Sequence, residues 1–145
     1  MQIHRLSSKL LTAHFKEYEF FTHSPDFSEN SHYLDSKLVY AAQIIRDFIK
    51  SPVIITSSYR TPLYNAVCGG SENSYHLKSM ALDLDCGSMQ SLVNENIIRR
   101  GPLYVSLRNC GINGFGLAEN FIHIDTRLSG YSQDSLFGSF SLWYY

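Results

Sequence analysis

The sequence predicts an α+β domain in which a small, mostly antiparallel sheet is flanked by helices. Three observations carry that expectation. Leu38, Ala41, Ala42, Ile45 and Phe48 recur at steps of three and four, which marks one face of a helix. Ala81-Leu82-Asp83-Leu84-Asp85 and Phe121-Ile122-His123-Ile124-Asp125 both alternate with period two, as half-buried strands do. Val53-Ile54-Ile55-Thr56 is mostly β-branched and reads as a buried strand.

With 145 residues the chain is expected to be one domain able to bury a real core. A formal net charge of −1 gives no reason to expect nucleic acid or an anionic membrane as partner. No apolar run is long enough to span a bilayer, and membrane insertion is not expected. Met1 to Leu6 lacks the apolar core of a secretory signal. Cys68, Cys86 and Cys110 are spaced by 18 and 24 residues, with no CxxC pair, so a thiolate zinc finger is not expected. Free thiols are the plain reading of the three, with one disulfide plus a leftover thiol as the alternative.

In chain order, residues 1–33 are rich in aromatics and histidine: His14, Phe15, Tyr18, Phe20, Phe21, His23, Phe27, His32 and Tyr33. They are expected to wrap the main body, with helical turns between Lys9 and Glu19, and the histidines are expected to be surface or core groups. Asp35 or Ser36 can cap the first helix, which should end near Ser51-Pro52. Ser57 to Ser74 reads as loop, with Pro62 able to start a short helix over Leu63 to Val67. Ser88 can cap a helix from Met89 to Arg100 with Leu92, Ile97 and Ile98 inward. A further helix over Leu103 to Asn109 follows Gly101-Pro102, and the glycine-rich turn 110–116 leads into a strand. The tail from Gly130 to Tyr145 is expected to be irregular, with Trp143 as an anchor.

Asp83 and Asp85 share one strand face, where two carboxylates repel unless a cation or donors sit between them. His123 and Asp125 share a face of the later strand. Antiparallel pairing of the two strands would bring His123 beside Asp83. With His76, they make a set of two imidazoles and one carboxylate, which suits zinc with an open position for water. On spacing alone, the same three residues would serve equally as satisfied polar groups.

The motifs, taken together, resemble a known family. Ser57-Ser58-Tyr59-Arg60-Thr61-Pro62-Leu63-Tyr64-Asn65, the Gly69-Gly70 turn, the stretch Ser74 to Asp83 and Phe121-Ile122-His123-Ile124-Asp125-Thr126 stand in the order found in the zinc D-Ala-D-Ala carboxypeptidases. More closely, they resemble the compact branch found in bacteria and bacteriophages, whose fold is shared with the hedgehog signalling domain. The likeness covers residues 35–128, and 9–20 more loosely. It implies residues 1–33 as a wrap, 34–128 as the catalytic core and 129–145 as a tail of one zinc peptidase domain.

What the resemblance implies at individual positions follows the motifs. His76, Asp83 and His123 match the zinc ligands. Arg60 matches the arginine that holds substrate or the developing oxyanion, and Ser74 the serine near the substrate carboxylate. The implied substrate is a peptidoglycan stem peptide, cut by a carboxypeptidase or an endolysin-like endopeptidase. Such an enzyme would act at the bacterial cell wall, and the likeness to the phage branch implies that it could be phage-encoded and delivered by something other than this chain. A non-catalytic metal-binding module of the same fold, binding cell wall or a partner protein, is the alternative. Three positions depart from the pattern: Ser79 replaces a glycine, Tyr75 a common glutamine, and Asn120 the carboxylate that serves several relatives as general base. Glu119 is the first substitute for that base, Asp125 the second and Asp85 the third.

Overall fold

The computed structural model describes residues 1–25 and 29–145, so Phe27 lies outside the described residues. Its centre is a six-stranded sheet in the order β3-β4-β6-β5-β8-β7. These strands are β3 (Ile54–Ser57), β4 (Ala81–Asp85), β5 (Gly114–Leu117), β6 (Ile122–Asp125), β7 (Ser132–Asp134) and β8 (Gly138–Tyr144). Every neighbouring pair is antiparallel except β5 and β8, which run parallel.

One face of this sheet is the core. Ile55, Leu82, Leu84, Ile122, Ile124, Phe115, Leu117 and Phe140 are buried there. They join the apolar stripe of α1 (Ser36–Ile49) and residues of α4 (Pro102–Cys110). The first helix forms where its period puts it. Asp35 accepts a bond from the Lys37 N–H at its start, and Lys50 ends it in the left-handed region. A short α2 (Pro62–Val67) follows, with Pro62 in the first turn and Thr61 as cap.

Four expectations need correction. The run Val53 to Thr56 is not a fully buried strand. It forms the sheet edge, where Ile55 faces the core and Ile54 is 61% exposed. The helix expected over Met89 to Arg100 is α3 (Gln90–Ile98), and Ser88 does not cap it. Its inward residues are Val93 and Ile97, while Leu92 and Ile98 are exposed. The inward stripe is headed by the buried Gln90, whose side chain bonds the Cys86 N–H and Asn94. A polar residue at the head of an apolar stripe hid its phase.

The tail is not irregular. It forms β7 and the seven-residue β8, which adds Phe140 to the core and seats itself beside β5. Between Lys9 and Glu19 the helical turn is confined to the end of the stretch, a 3₁₀ turn at Glu17–Phe20, and a Leu10–Lys16 bridge precedes it. The amino-terminal segment also forms a two-stranded ribbon of β1 (Gln2–His4) and β2 (Ser31–Tyr33). Phe15, Phe20 and Phe21 are buried as a wrap requires, whereas Tyr18 and Tyr33 are exposed.

His4 pairs with Glu17, His14 with Gln43, and the buried His32 accepts the Thr22 N–H. All three cysteines are free thiols, and burial, with the Asp85 charge, pushes Cys86 up to about 12.

Candidate metal centre

The second face of the sheet carries the site. In β4 and β6, Asp83 and His123 are directly opposed, so the sheet register itself brings them together. His76 arrives from a 3₁₀ turn at Tyr75–Lys78 that Ser74 caps by accepting the His76 N–H at 3.2 Å. The Arg60 N–H donates to the His76 carbonyl at 3.1 Å, which ties the two loops together. All three side chains are buried, and one ligand atom from each lies within 4.8 Å of the others.

The hydrogen-bond partners decide which nitrogens are free. His76 Nδ1 lies 2.7 Å from the Ser58 carbonyl, which can only accept, so Nδ1 carries the hydrogen. Burial pushes the His76 imidazole below its ordinary value and keeps it neutral. Its Nε2 lone pair therefore faces Asp83 Oδ1, itself an acceptor, at 3.1 Å. Two acceptors face each other there, an arrangement that a cation between them relieves.

His123 is held from behind. Its Nε2 lies 2.8 Å from Asp125 Oδ2, which leaves Nδ1 pointing at Asp83 Oδ1 at 3.0 Å. Burial works to lower this imidazole, but the bonds to Asp125 and Asp83 outweigh it and raise it. A metal ion would displace that proton. Burial likewise works to raise the Asp83 carboxyl, and the bond from His123 overcomes it and holds it well below the carboxylate range. Two imidazole nitrogens and one carboxylate oxygen, converging and buried, fit a divalent metal.

Other predicted site residues fall unevenly. Arg60 lies beside the cluster, its Nη2 3.3 Å from Asp83 Oδ2 and its Nε 3.0 Å from Ser57 Oγ. Ser74 lines the same cleft of about 510 Å³. Asp125 is fully buried behind His123 and gripped by Arg127 through Nε at 2.8 Å and Nη2 at 2.7 Å. Burial acts to raise its carboxyl, but Arg127 and then His123 bring it to about 2. Glu119 is exposed in the turn between β5 and β6 and does not line the cleft. Asp85 accepts the Gly87 N–H and stands outside the cluster.

The sequence reading did not identify Arg127 and the two glycines of β5. Arg127 stacks between Tyr75 and Trp143, at 4.6 and 4.8 Å from their ring centres. Tyr75 is thus one face of that stack. Gly114 lies opposite Asp125, and a Cβ there would overlap its carboxylate. The signal for the two glycines was the parity of β5, because Gly114 and Gly116 share the face of His123 and Asp125.

The buried cluster of His76, Asp83 and His123, lining a cleft, is a group that could hold a metal ion. Comparison with protein families agrees with that geometry. Residues 13–125 match the family model described as Peptidase M15, and the chain belongs to the peptidase M15 family, whose fold is hedgehog-like. A search of curated proteins gives no match.

Proposed function

We propose that the protein is a zinc peptidase that hydrolyses peptide bonds of peptidoglycan stem peptides, as a D-Ala-D-Ala carboxypeptidase or an endolysin-like endopeptidase. The observation that carries this is the meeting of His76 Nε2 and His123 Nδ1 at one oxygen of Asp83, in a chain of a peptidase family. These three residues are the proposed zinc ligands. The chemistry that zinc supplies when bound is Lewis-acid activation of water and polarisation of the scissile carbonyl.

Roles for the remaining residues follow from their surroundings. Arg60, a permanent charge next to the ligand carboxylate, is assigned to hold the substrate carboxylate or the developing oxyanion, with Ser74 beside it. Asp125 keeps the His123 hydrogen on Nε2, so that Nδ1 stays free as a ligand atom. With its carboxyl near 2 and both oxygens engaged, Asp125 suits orientation rather than proton uptake. The base role falls by elimination to Glu119, which stands exposed outside the cleft two residues before Phe121 and would have to turn into it to reach the reacting water.

The expected behaviour is one zinc per chain and new muropeptides on digestion of purified peptidoglycan, lost on chelation and read by mass spectrometry. Glu119→Gln should lower the rate by about 100-fold or more. Protein prepared without chelator that holds no stoichiometric metal would sink the proposal.

One observation favours a second reading, a metal-binding module without turnover that binds cell wall or a partner protein. Among the described residues, Asp83 is the only carboxylate lining the cleft. Zinc binding without muropeptide release, by wild type and by the Glu119 and Asp125 variants alike, selects that reading.

A further inference from the structure

Part of the cleft lining is aromatic, and two of its rings belong to residues beyond the stretch matched to the family. Asp83, His123, Gly116 and Trp143 form one row across β4, β6, β5 and β8, all on the site face. Gly116 is the gap in the row: a Cβ there would lie 2.7 Å from both the Trp143 indole and the Tyr145 ring. Across that gap the indole reaches the His123 imidazole, with ring centres 5.1 Å apart. Tyr145 extends the surface, 6.4 Å from Trp143 and 5.0 Å from Phe121. Arg127 stacks on the indole and steadies it.

We propose, on the basis of the peptidase reading above, that Trp143, Tyr145 and Phe121 form a specificity subsite for an apolar side chain adjoining the scissile bond. The cleft divides its chemistry in a way that supports this. Arg60, Ser74 and Asn73 offer charge and hydrogen bonds, whereas the three rings offer apolar area. An extended peptide sends successive side chains to opposite sides, so one laid over the metal ligands presents a side chain to each kind of lining. A cleft of about 510 Å³ holds a ligand of a few residues. Trp143 touches a proposed ligand residue and the subsite at once, which couples what the wall binds to the position of the reacting bond.

The test uses the full chain loaded with zinc and N-acetyl dipeptides whose scissile amide is replaced by a methylene-amine. The residue beside that bond is varied from glycine to alanine to 2-aminobutyrate, in both configurations, and binding is read by calorimetry. Wild-type affinity is expected to rise about fourfold per added methylene. Trp143→Ala should flatten the series at unchanged zinc content, while Trp143→Phe keeps part of it. If Trp143→Ala loses zinc, Tyr145→Ala decides, because Tyr145 is exposed and its loss should give a shallower series. A flat wild-type series overturns the proposal, as does an unchanged slope in the zinc-loaded variant that decides. Displacement of a bound ligand by N-acetylglucosamine, with no response to the peptide series, would make the wall a sugar platform and also overturn it. Parallel turnover of the matching amides separates the two readings. A graded series without cleavage refutes the peptidase, and cleavage with a flat series refutes the subsite.

Discussion

Asp83 and His123 are directly opposed on neighbouring antiparallel strands, and His123 Nδ1 lies 3.0 Å from Asp83 Oδ1. Their approach is set by the ladder rather than by loop placement. The two strands could not slip by one residue without turning Leu82, Leu84, Ile122 and Ile124 out of the core. The hydrophobic core therefore enforces the geometry of the polar face.

Metal should stabilise the fold, because the unfolded chain has no such arrangement to offer. With free zinc at 100 times its dissociation constant, the gain is expected to be about 2.7 kcal/mol. Thermal melts with zinc and with chelator should separate accordingly, and His76→Ala or His123→Ala should erase the separation.

Gly114→Ala should weaken the metal site without touching a ligand. The added Cβ would meet the Asp125 carboxylate and displace it from His123. Loss of an outer partner of this kind lowers metal affinity by about 10- to 100-fold. Calorimetric zinc titration of wild type and variant measures it, and equal affinities would contradict the supporting role of Asp125.

Asp125 should make the metal-free protein acid-sensitive. Its carboxyl sits at about 2 in the fold, against about 3.9 in an unfolded chain. As pH falls the unfolded chain takes the proton first, so the stabilisation is whole above about pH 4 and is lost as pH drops through 2. Its size is on the order of 2 kcal/mol. Urea midpoints across that window should fall in wild type and stay flatter in Asp125→Asn. Arg127→Ala should cost about 3 kcal/mol at neutral pH, since it strips the buried carboxylate of its cation.

Ser79→Gly should stabilise the protein. Ser79 closes the turn that carries His76 with φ 59° and ψ 30°, in the left-handed region where a side chain is strained. A gain of about 0.5–1 kcal/mol in urea unfolding is expected.

Much of the site could be read from the chain because its residues sit on short-period patterns. The alternation in 81–85 and 121–125 placed Asp83 and His123 on one side of their strands, and pairing did the rest. The capping of α1 by Asp35 and the turn at Pro62 were local signals of the same kind. The amino-terminal histidines that are described have partners of their own or stand exposed.

The tail was not legible for the opposite reason. Gly138 to Tyr144 becomes a strand through its parallel pairing with β5, as in Gly114 with Ser141 and Leu117 with Tyr144, and nothing local announces so distant a partner. The same holds for Arg127, whose meaning lies in two rings and a carboxylate gathered from separate elements.

Residue types and their periods put Asp83 and His123 each on the polar face of a strand and marked the helix behind them, whereas the choice of His76, Asp83 and His123 as proposed ligands rested on the family resemblance. Folding decided which groups stand behind the ligands, that Asp125 is locked to Arg127, and that β8 brings Trp143 to the cleft. Periodicity reports which way a side chain points, whereas its neighbours depend on which distant strand fills the next place in the sheet.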